Sequence, residues 1–212
     1  MDEKKYRRII SHYEACLDRH GDSHLGVDWP KAEDVEKRHR VMLDLIKPDT
    51  RPDNVSLLDF GCGAAHLYEY ILRRELKIDY SGLDLSEKFV RLCESKFPNN
   101  QFFCLDLLDD DASLPQFDYI VLNGVFTEKR ELSFDEMLAY FKQLIARVFA
   151  HARLGIAFNV MSKHVDWERE DLFHLPFDTA AEFLRTELSK HFVFRNDYGL
   201  YEYTTYVYRE SN

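Results

Sequence analysis

Paired cysteines are missing from this chain of 212 residues. The cysteines show no C-x-x-C spacing, and no stretch of the sequence resembles a signal peptide. The four are Cys16, Cys62, Cys93 and Cys104. Together these two absences predict a reduced, cytoplasmic setting.

Apolar runs long enough to cross a bilayer are also missing. The longest mainly apolar stretch covers residues 144–161, and it contains Arg147, His151 and Arg153. Side chains of this kind exclude a membrane-spanning helix, so we expect no membrane partner. The stretch instead predicts the end of one helix followed by a strand.

Basic charge is scarce, because 28 Lys and Arg residues stand against 38 Asp and Glu residues and give a formal net charge of −10. Such a surface repels phosphate backbones and anionic lipid, so the sequence predicts a small-molecule partner and no nucleic acid. Internal repeats and low-complexity segments are absent as well. The hydrophobic content of 45% is ordinary for a globular protein. The length fits one domain, with or without a small cap.

One glycine-rich turn stands where an α/β sheet would bind a nucleotide. Residues 57–65 read Leu-Leu-Asp-Phe-Gly-Cys-Gly-Ala-Ala, an apolar run that ends in Asp59 and turns on Gly61 and Gly63 into a helical pattern. Glycine accepts positive φ and lets the backbone approach a ligand closely. A dinucleotide fingerprint would place its third glycine at position 66, where this chain has His66. The pattern therefore argues against NAD and FAD.

The segment Asp59-x-Gly61-x-Gly63 resembles motif I of the class I S-adenosylmethionine-dependent methyltransferases. The resemblance implies a Rossmann-like, seven-stranded, mostly parallel α/β sheet with an antiparallel C-terminal strand and helices on both faces. It also implies that Asp59, Gly61, Cys62 and Gly63 bind S-adenosylmethionine. The family often has glycine where this chain has Ala65.

Two further acids follow the family's order and spacing. Asp84 ends a predicted second strand, and the resemblance implies that its carboxylate accepts the ribose hydroxyls, with Leu85 beside it at the cofactor. Asp106 ends a predicted third strand; in the family this acid bonds the adenine amino group, and the following apolar residue, here Leu107, packs on the ring. An acid after a strand is also common as a solvated turn or a helix N-cap. The assignment therefore depends on the acids occurring together in this order.

The predicted fourth strand, residues 117–126, resembles the strand whose end lies beside the methyl donor in the family. Its Asn123 and Gly124 are therefore expected to contact the cofactor and to line the methyl path. The alternation of strands and helices predicts right-handed crossovers. Two β-rich runs, residues 192–194 and 201–208, would complete the sheet.

Two amphipathic helical patterns predict a helical cap over residues 1–50, ahead of a methyltransferase domain over residues 51–212. Trp29, in the loop between them, either closes over the cofactor or substrate or only packs the loop. A Gly26-Val27-x-Trp29 segment followed by a helix with an arginine is similar to one group of small methyltransferases often found with polysaccharide or natural-product genes. That similarity implies that Arg38 binds the methionine carboxylate, and a solvated helix arginine is the alternative.

Two polar segments later in the chain are interpreted by their position. The insert at residues 162–169 follows a predicted fifth strand, where open α/β sheets bind ligands, so we expect it to contact the substrate. The acidic run Asp109-Asp110-Asp111 predicts a solvated loop, because three successive side chains cannot converge on one ion from an extended backbone. We therefore expect no metal site.

The expected reaction is methyl transfer, which needs an aligned nucleophile and, where the nucleophile carries a proton, a base. The candidate bases are His24, His164 and His174, whereas an acceptor that is already an anion needs none. The favoured acceptor is a sugar, a nucleotide-linked intermediate or an organic acid, methylated on oxygen, nitrogen or a carboxylate. A protein or RNA methyltransferase and a non-catalytic S-adenosylmethionine-binding scaffold are the alternatives. A monomer and a homodimer both remain open.

Overall fold

A seven-stranded sheet organises the computed structural model, which describes residues 5–47, 55–109 and 112–211. The elements, numbered in chain order, are α1 (Arg7–His20), α2 (Ala32–Leu43), β1 (Val55–Phe60), α3 (His66–Arg73), β2 (Ile78–Asp84), α4 (Glu87–Lys96), β3 (Gln101–Cys104), β4 (Phe117–Phe126), α5 (Phe134–Ala150), β5 (Ala152–Met161), α6 (Phe177–Phe183), β6 (His191–Arg195) and β7 (Glu202–Tyr208).

The strands lie in the order β3-β2-β1-β4-β5-β7-β6. The first five pair in parallel, whereas β7 pairs antiparallel with both β5 and β6. Because β6 is antiparallel to β7, it runs in the same direction as β1 to β5, and β7 alone is reversed among the described strands. The predicted mostly parallel sheet with an antiparallel C-terminal strand is therefore confirmed.

Two buried cores flank the sheet because successive side chains of a strand point to opposite faces. Leu57 packs with residues of α2 and α3, whereas its neighbour Leu58 packs with residues of α5 and α6. The near-continuous apolar run of β1 follows from this burial on both faces. No helix in the described ranges is long and apolar enough to cross a membrane.

Local sequence signals set several helix ends. Ser133 and Glu136 form a complete capping box at the start of α5, and the Ser86 side chain accepts a hydrogen bond from Phe89 N at the start of α4. Gly21, with φ of 63°, ends α1. The helical pattern of residues 177–190 predicts a single helix, but α6 passes into a wider π-helical turn at Leu184–Leu188.

The first two helices meet the sheet in different ways. Met42 and Leu45, at the end of α2 and just beyond it, are buried in the same core as Leu57 of β1. Tyr6, just before α1, stacks on Tyr140 of α5 with ring centroids 4.5 Å apart, so α1 crosses the carboxyl edge of the sheet. The expected boundary between residues 50 and 51 lies outside the described residues.

We expect Phe141→Ala to lower the free energy of unfolding by about 3–5 kcal/mol, because it leaves a cavity in the core between α5 and the sheet. The Phe141 ring is fully buried, with its centroid 5.0 Å from that of Phe126 and 5.3 Å from that of Phe158. Urea denaturation measures the loss. Gln143→Ala, on the exposed face of the same helix, is the control and should stay within about 0.5 kcal/mol. Equal losses in both variants would contradict the assignment of Phe141 to the core.

Candidate active site

One cavity lies at the carboxyl ends of β1, β2 and β4, with α1 and the loop that precedes α2 forming its opposite wall. It encloses about 1010 Å³ including open space at its mouth. Nine of the residues predicted to bind the cofactor line it, namely Trp29, Asp59, Gly61, Cys62, Gly63, Asp84, Leu85, Asn123 and Gly124. The fold therefore brings together most of the predicted set.

The glycine turn after β1 forms one wall of this cavity with its backbone. Gly61 has φ of 75°, and a Cβ there would lie 2.6 Å from Val125 Cγ2. Gly63 has φ of 50°, and its Cβ would lie 3.1 Å from Val27 Cγ1. Ala65 is buried with φ of 57°, so alanine keeps the left-handed conformation that favours glycine, at a cost of about 1–2 kcal/mol.

Two acids from neighbouring strands face the cavity. Asp59 is 3% exposed, and Tyr80 Oη donates a 2.9 Å hydrogen bond to its Oδ2. The pKa of Asp59 is raised to about 7, mainly by burial; the Tyr80 hydrogen bond lowers it and the Asp84 charge raises it. Asp84 accepts hydrogen bonds of 2.9 Å from Gly63 N and from Ser86 N, and burial raises its pKa as well. A ligand hydroxyl or ammonium group that donates a hydrogen bond would stabilise the ionised form of both carboxyl groups.

Aromatic rings form a second wall. The Trp29 and His39 ring centroids are 5.6 Å apart, and the same distance separates His39 from Tyr70. The pKa of His39 is lowered to about 3, mainly by burial and also by nearby positive charges, so its imidazole is neutral near pH 7. His39 Nδ1 is buried and has no hydrogen-bond partner. His39 belongs to the second of the two amphipathic patterns in the sequence, and that pattern does not assign it to a cavity wall.

The end of β4 presents polar backbone and one unpaired amide oxygen. Asn123 Oδ1 is buried without a hydrogen bond although Asn123 lines the cavity. Gly124 has φ of 90°, and a Cβ there would lie 3.5 Å from Trp29 Nε1. Its carbonyl accepts a 3.0 Å hydrogen bond from Thr127 Oγ1. A buried acceptor without a donor is costly, and a hydrogen-bond donor on a ligand in the cavity would satisfy it.

These features fit S-adenosylmethionine. The carboxylates of Asp59 and Asp84 suit an ammonium group and ribose hydroxyls, and the aromatic wall suits a sulfonium cation. At Gly61 and Gly63 a side chain would crowd Val125 and Val27, two residues that line the cavity. The orphaned oxygen of Asn123 needs a donor that the described residues do not supply.

Arg38 lies outside the cavity lining, in a buried polar network. Its guanidinium donates through Nε and Nη2 to the carboxylate of Glu202, at 3.0 to 3.1 Å, and Glu202 is 2% exposed. Asn159 Nδ2 donates to Glu202 Oε1 at 3.0 Å, and Asn159 Oδ1 accepts from Gly124 N at 2.7 Å. The guanidinium carbon lies 5.4 Å from the Trp29 ring centroid. Arg38 is therefore not a solvated helix arginine, and its contact with the cofactor stays a prediction.

Asp106 and Leu107 also lie outside the cavity lining. Asp106 Oδ2 accepts hydrogen bonds from Tyr6 Oη at 2.8 Å and from Arg7 Nη2 at 3.0 Å, so α1 already occupies this carboxylate. Leu107 is buried in the core beside α5. Their roles at adenine stay predictions. Of the acidic run that follows, residues 110 and 111 lie outside the described residues.

None of the candidate bases named from sequence lines the cavity. His24 Nδ1 lies 2.6 Å from Trp29 O and holds the loop. His164 is exposed and stacks on Phe177 at 5.3 Å. His174 is buried, with Nδ1 2.6 Å from Ser162 O. Their assignment as bases stays a prediction without support from these contacts.

The face of α1 supplies further lining residues that sequence reasoning did not assign to a site. They are Ile9, Ile10 and Tyr13, with Tyr6 just before the helix. Their helical spacing was visible as an apolar stripe, but such a stripe predicts burial without saying against what. Only packing over the sheet edge turns this stripe into a cavity wall.

One group of possible metal ligands occurs among the described residues. Atoms of His12, Cys16 and Asp28 lie within 4.8 Å of one another. The guanidinium of Arg130 contacts His12 Nδ1, so a cation already neighbours this group. The expectation of no metal site stays a prediction.

Comparison with protein families and curated sequences gives two matches. A family model described as a methyltransferase domain matches residues 58–154. The chain is 30% identical over 164 residues to the Mycobacterium tuberculosis protein named "Putative methyltransferase Rv1506c". This match covers 75% of the present chain and 96% of that protein.

Solved structures share the fold at lower identity. Magnesium protoporphyrin IX methyltransferase from Synechocystis PCC 6803, solved with S-adenosylmethionine, matches with a TM-score of 0.65 and 16% identity over 99% of this chain and 100% of that chain. A Burkholderia thailandensis 1,6-didemethyltoxoflavin-N1-methyltransferase, bound to 1,6-didemethyltoxoflavin and S-adenosylhomocysteine, gives 0.61 and 17% over 98% and 88%. At these identities, both matches show a shared fold only.

We expect the stability of the protein to carry a pH dependence that Asp59→Asn removes. The pKa of Asp59 rises from 3.8 to about 7 on folding, so the folded state keeps a proton that the unfolded state loses between these values. The stabilising contribution is therefore full below about pH 4 and is lost as the pH rises through about 7. Urea unfolding at several pH values measures it. A wild-type minus variant difference that stays constant with pH would contradict the raised pKa.

We expect Glu202→Gln to destabilise the fold by about 3 kcal/mol, because it leaves the Arg38 guanidinium without its carboxylate. The Arg38 side chain is 18% exposed and that of Glu202 is 2% exposed. The matched control is Glu182→Gln, whose exposed pair with Arg185 should contribute less than about 1 kcal/mol. Urea unfolding of both variants measures the loss of unfolding free energy. Equal losses in both would contradict the larger contribution that we assign to the buried pair.

Proposed function

Because the chain belongs to the family of class I S-adenosylmethionine-dependent methyltransferases, we propose that it transfers a methyl group from S-adenosylmethionine to a small molecule. The observation that carries the proposal is the convergence of Asp59, Asp84 and the unpaired oxygen of Asn123 on one cavity beside the glycine turn. The methyl group goes to an oxygen atom, to a nitrogen atom or to a carboxylate group of the acceptor. A sugar, a nucleotide-linked intermediate and an organic acid are the acceptor classes we propose.

The residues of the cavity divide into binding and positioning roles. Asp84 accepts hydrogen bonds from the ribose hydroxyls, and Asp59 pairs with the methionine ammonium once its proton is lost. The S-adenosylmethionine supplies an electrophilic methyl group on a sulfonium. Trp29 covers this cation and excludes water, and the backbone of Gly124 lines the path along which an acceptor approaches.

A small acceptor is favoured by the walls of the cavity and by the charge of the chain. Helix α1 and the Trp29 loop form the wall opposite the sheet edge, and the formal charge of −10 disfavours nucleic acid. A protein or RNA methyltransferase would need an extended groove at this edge of the sheet to bind its macromolecular substrate. A non-catalytic scaffold would bind S-adenosylmethionine but methylate no acceptor. Turnover on any small molecule distinguishes the proposal from the scaffold.

We also propose that residues 1–50 act as a cap of the cofactor cavity. Contacts between α1 and the sheet edge support this role, for example those of Tyr6 and Arg7 with Asp106. Met42 packs in the same core as Leu57 of β1, which also supports this role. The cytoplasmic setting, the absence of a nucleic-acid partner and the choice between monomer and homodimer stay predictions.

Calorimetric titration with S-adenosylmethionine, S-adenosylhomocysteine and NAD tests the proposed cofactor. We expect micromolar binding of the first two ligands and none of NAD. Asp84→Asn should weaken binding about 10-fold to 100-fold, since charge-assisted hydrogen bonds contribute about 1.5–3 kcal/mol.

The matched control is Asp79→Asn, an exposed acid on the same strand β2. It should bind S-adenosylmethionine like the wild type. Circular dichroism and the melting temperature establish that both variants fold. Unchanged affinity in folded Asp84→Asn would remove Asp84 from the site, and failure of the wild type to bind either adenosyl ligand would refute the proposed function.

A further inference from the structure

His39, on α2, carries a buried nitrogen that no described residue satisfies. The residue is 2% exposed and lines the proposed cofactor cavity. Its Nδ1 makes no hydrogen bond within the described ranges. A buried polar atom without a partner lowers the stability of a folded protein, and each such atom calls for an explanation. This nitrogen is therefore a candidate for a contact with a bound molecule.

Neighbouring rings and a fixed helix hold the imidazole in place. The ring centroid of Trp29 lies 5.6 Å from that of His39, and that of Tyr70 lies at the same distance. The preceding residue, Arg38, bonds to Glu202 at 3.0 to 3.1 Å and thereby ties α2 to β7. The imidazole thus has the rigid support that a binding group needs.

His39 and the proposed methyl path share one cavity. Trp29 is next to both: its ring packs near His39, and a Cβ at Gly124 would lie 3.5 Å from its Nε1. Gly124, Trp29 and His39 all line the same cavity. A molecule bound at His39 is therefore in the cavity that also holds the methyl donor in the proposed function.

The charges around this cavity favour an uncharged acceptor. Asp59 and Asp84 line it, whereas no lysine or arginine of the described ranges does. The pKa of His39 is lowered to about 3, mainly by burial and also by nearby positive charges, so its imidazole adds no positive charge near pH 7. A carboxylate or phosphate group on the acceptor would therefore lie near two acids without a lining cation to pair with.

A hydroxyl group matches the unpaired nitrogen best. A neutral imidazole has one nitrogen with a lone pair and one with an N–H, and a hydroxyl group both donates and accepts hydrogen bonds. A hydroxyl group therefore satisfies Nδ1 in either tautomer. Because its pKa is lowered to about 3, His39 does not keep a proton near pH 7. It binds and orients the hydroxyl group and leaves the removal of the proton to another group or to water.

We propose that His39 binds the methyl acceptor through a hydrogen bond between Nδ1 and a hydroxyl group, and that the acceptor is an uncharged molecule. This inference rests on the proposed function and narrows its acceptor classes. A sugar fits, whereas an organic acid and a nucleotide-linked intermediate each carry an anionic group. A phenol has the same uncharged hydroxyl chemistry as a sugar, so both serve as probes.

Ring nitrogen resonances of His39 test this contact directly. In the complex of the whole chain with S-adenosylhomocysteine, they are followed while phenol or methyl β-glucoside is added. Each probe is paired with an anion of similar size, benzoate for phenol and methyl β-glucuronide for the glucoside. We expect a saturable shift of the Nδ1 resonance with at least one uncharged probe, and binding of its anionic partner that is weaker by about 10-fold or more. The two uncharged probes distinguish an aromatic acceptor from a sugar.

Variants that lack the nitrogen separate acceptor binding from cofactor binding. His39→Phe, or His39→Leu if circular dichroism shows that the phenylalanine variant does not fold, should weaken binding of the uncharged probe about 10-fold or more. Affinity for S-adenosylhomocysteine should stay within about 3-fold of the wild type. His39→Asn should recover part of the probe affinity, because its side-chain amide also hydrogen-bonds a hydroxyl group. The control is His191→Phe, the same change at an exposed position of β6, which should bind both ligands like the wild type.

The probe titration is repeated without S-adenosylhomocysteine, so that its result stands apart from cofactor binding. A wild type that binds no adenosyl ligand refutes the proposed function, whatever the probes do. A wild type that binds S-adenosylhomocysteine but shows no His39 shift with either uncharged probe overturns the inference. So does a folded variant without the nitrogen that binds the probe as tightly as the wild type does. A variant that loses about 10-fold in S-adenosylhomocysteine affinity assigns His39 to the cofactor and overturns the inference as well.

Turnover supplies the second readout. A library of uncharged sugars and phenols, each with a carboxylate counterpart, is screened with S-adenosylmethionine. For an accepted hydroxyl compound, the folded variant without the nitrogen should raise KM about 10-fold or more, with S-adenosylmethionine affinity unchanged. Methylation of the carboxylate counterparts as fast as of the uncharged compounds, or an unchanged KM in that variant, would contradict the assignment of His39 to an uncharged acceptor.

Discussion

The buried carboxylate of Glu202 is the constraint on which the arrangement of the site depends. It is 2% exposed, and a buried charge without a partner costs several kcal/mol. Arg38 from α2 and Asn159 from β5 satisfy it with hydrogen bonds of 3.0 to 3.1 Å. Satisfying one charge on the reversed strand β7 therefore fixes the cap and the neighbouring parallel strand relative to each other.

The same network reaches the cavity. Asn159 Oδ1 holds the N–H of Gly124 at 2.7 Å, and Arg38 lies against the ring of Trp29. The turn at the end of β4 and the aromatic wall are thus positioned by groups that do not line the cavity themselves. Only Nε and Nη2 of Arg38 bond to Glu202. The guanidinium keeps further N–H groups for the predicted contact with a methionine carboxylate.

Helix α1 connects the sheet edge with the loop after β4. One of its faces, with Tyr13, lines the proposed cofactor cavity, and the adjacent His12 contacts Arg130 in that loop. The sheet edge supplies rigid backbone and acids for a nucleoside, as it does generally in open α/β folds. The opposite wall is built from α1 and the loop that precedes α2, which lie outside the sheet. This division explains why one fold can serve many acceptors.

The sequence by itself determined the fold and the glycine turn, because the spacing of apolar residues, the turn residues and the strand-ending acids are local signals. It identified Asp59 and Asp84 as residues that face one cavity, since strand ends of a parallel sheet meet at one edge. Only the tertiary structure decided the partners of Arg38 and His12, which lie 164 and 118 residues away in the chain at Glu202 and Arg130. No periodicity encodes such pairs, because two distant side chains meet only when the elements that carry them pack together.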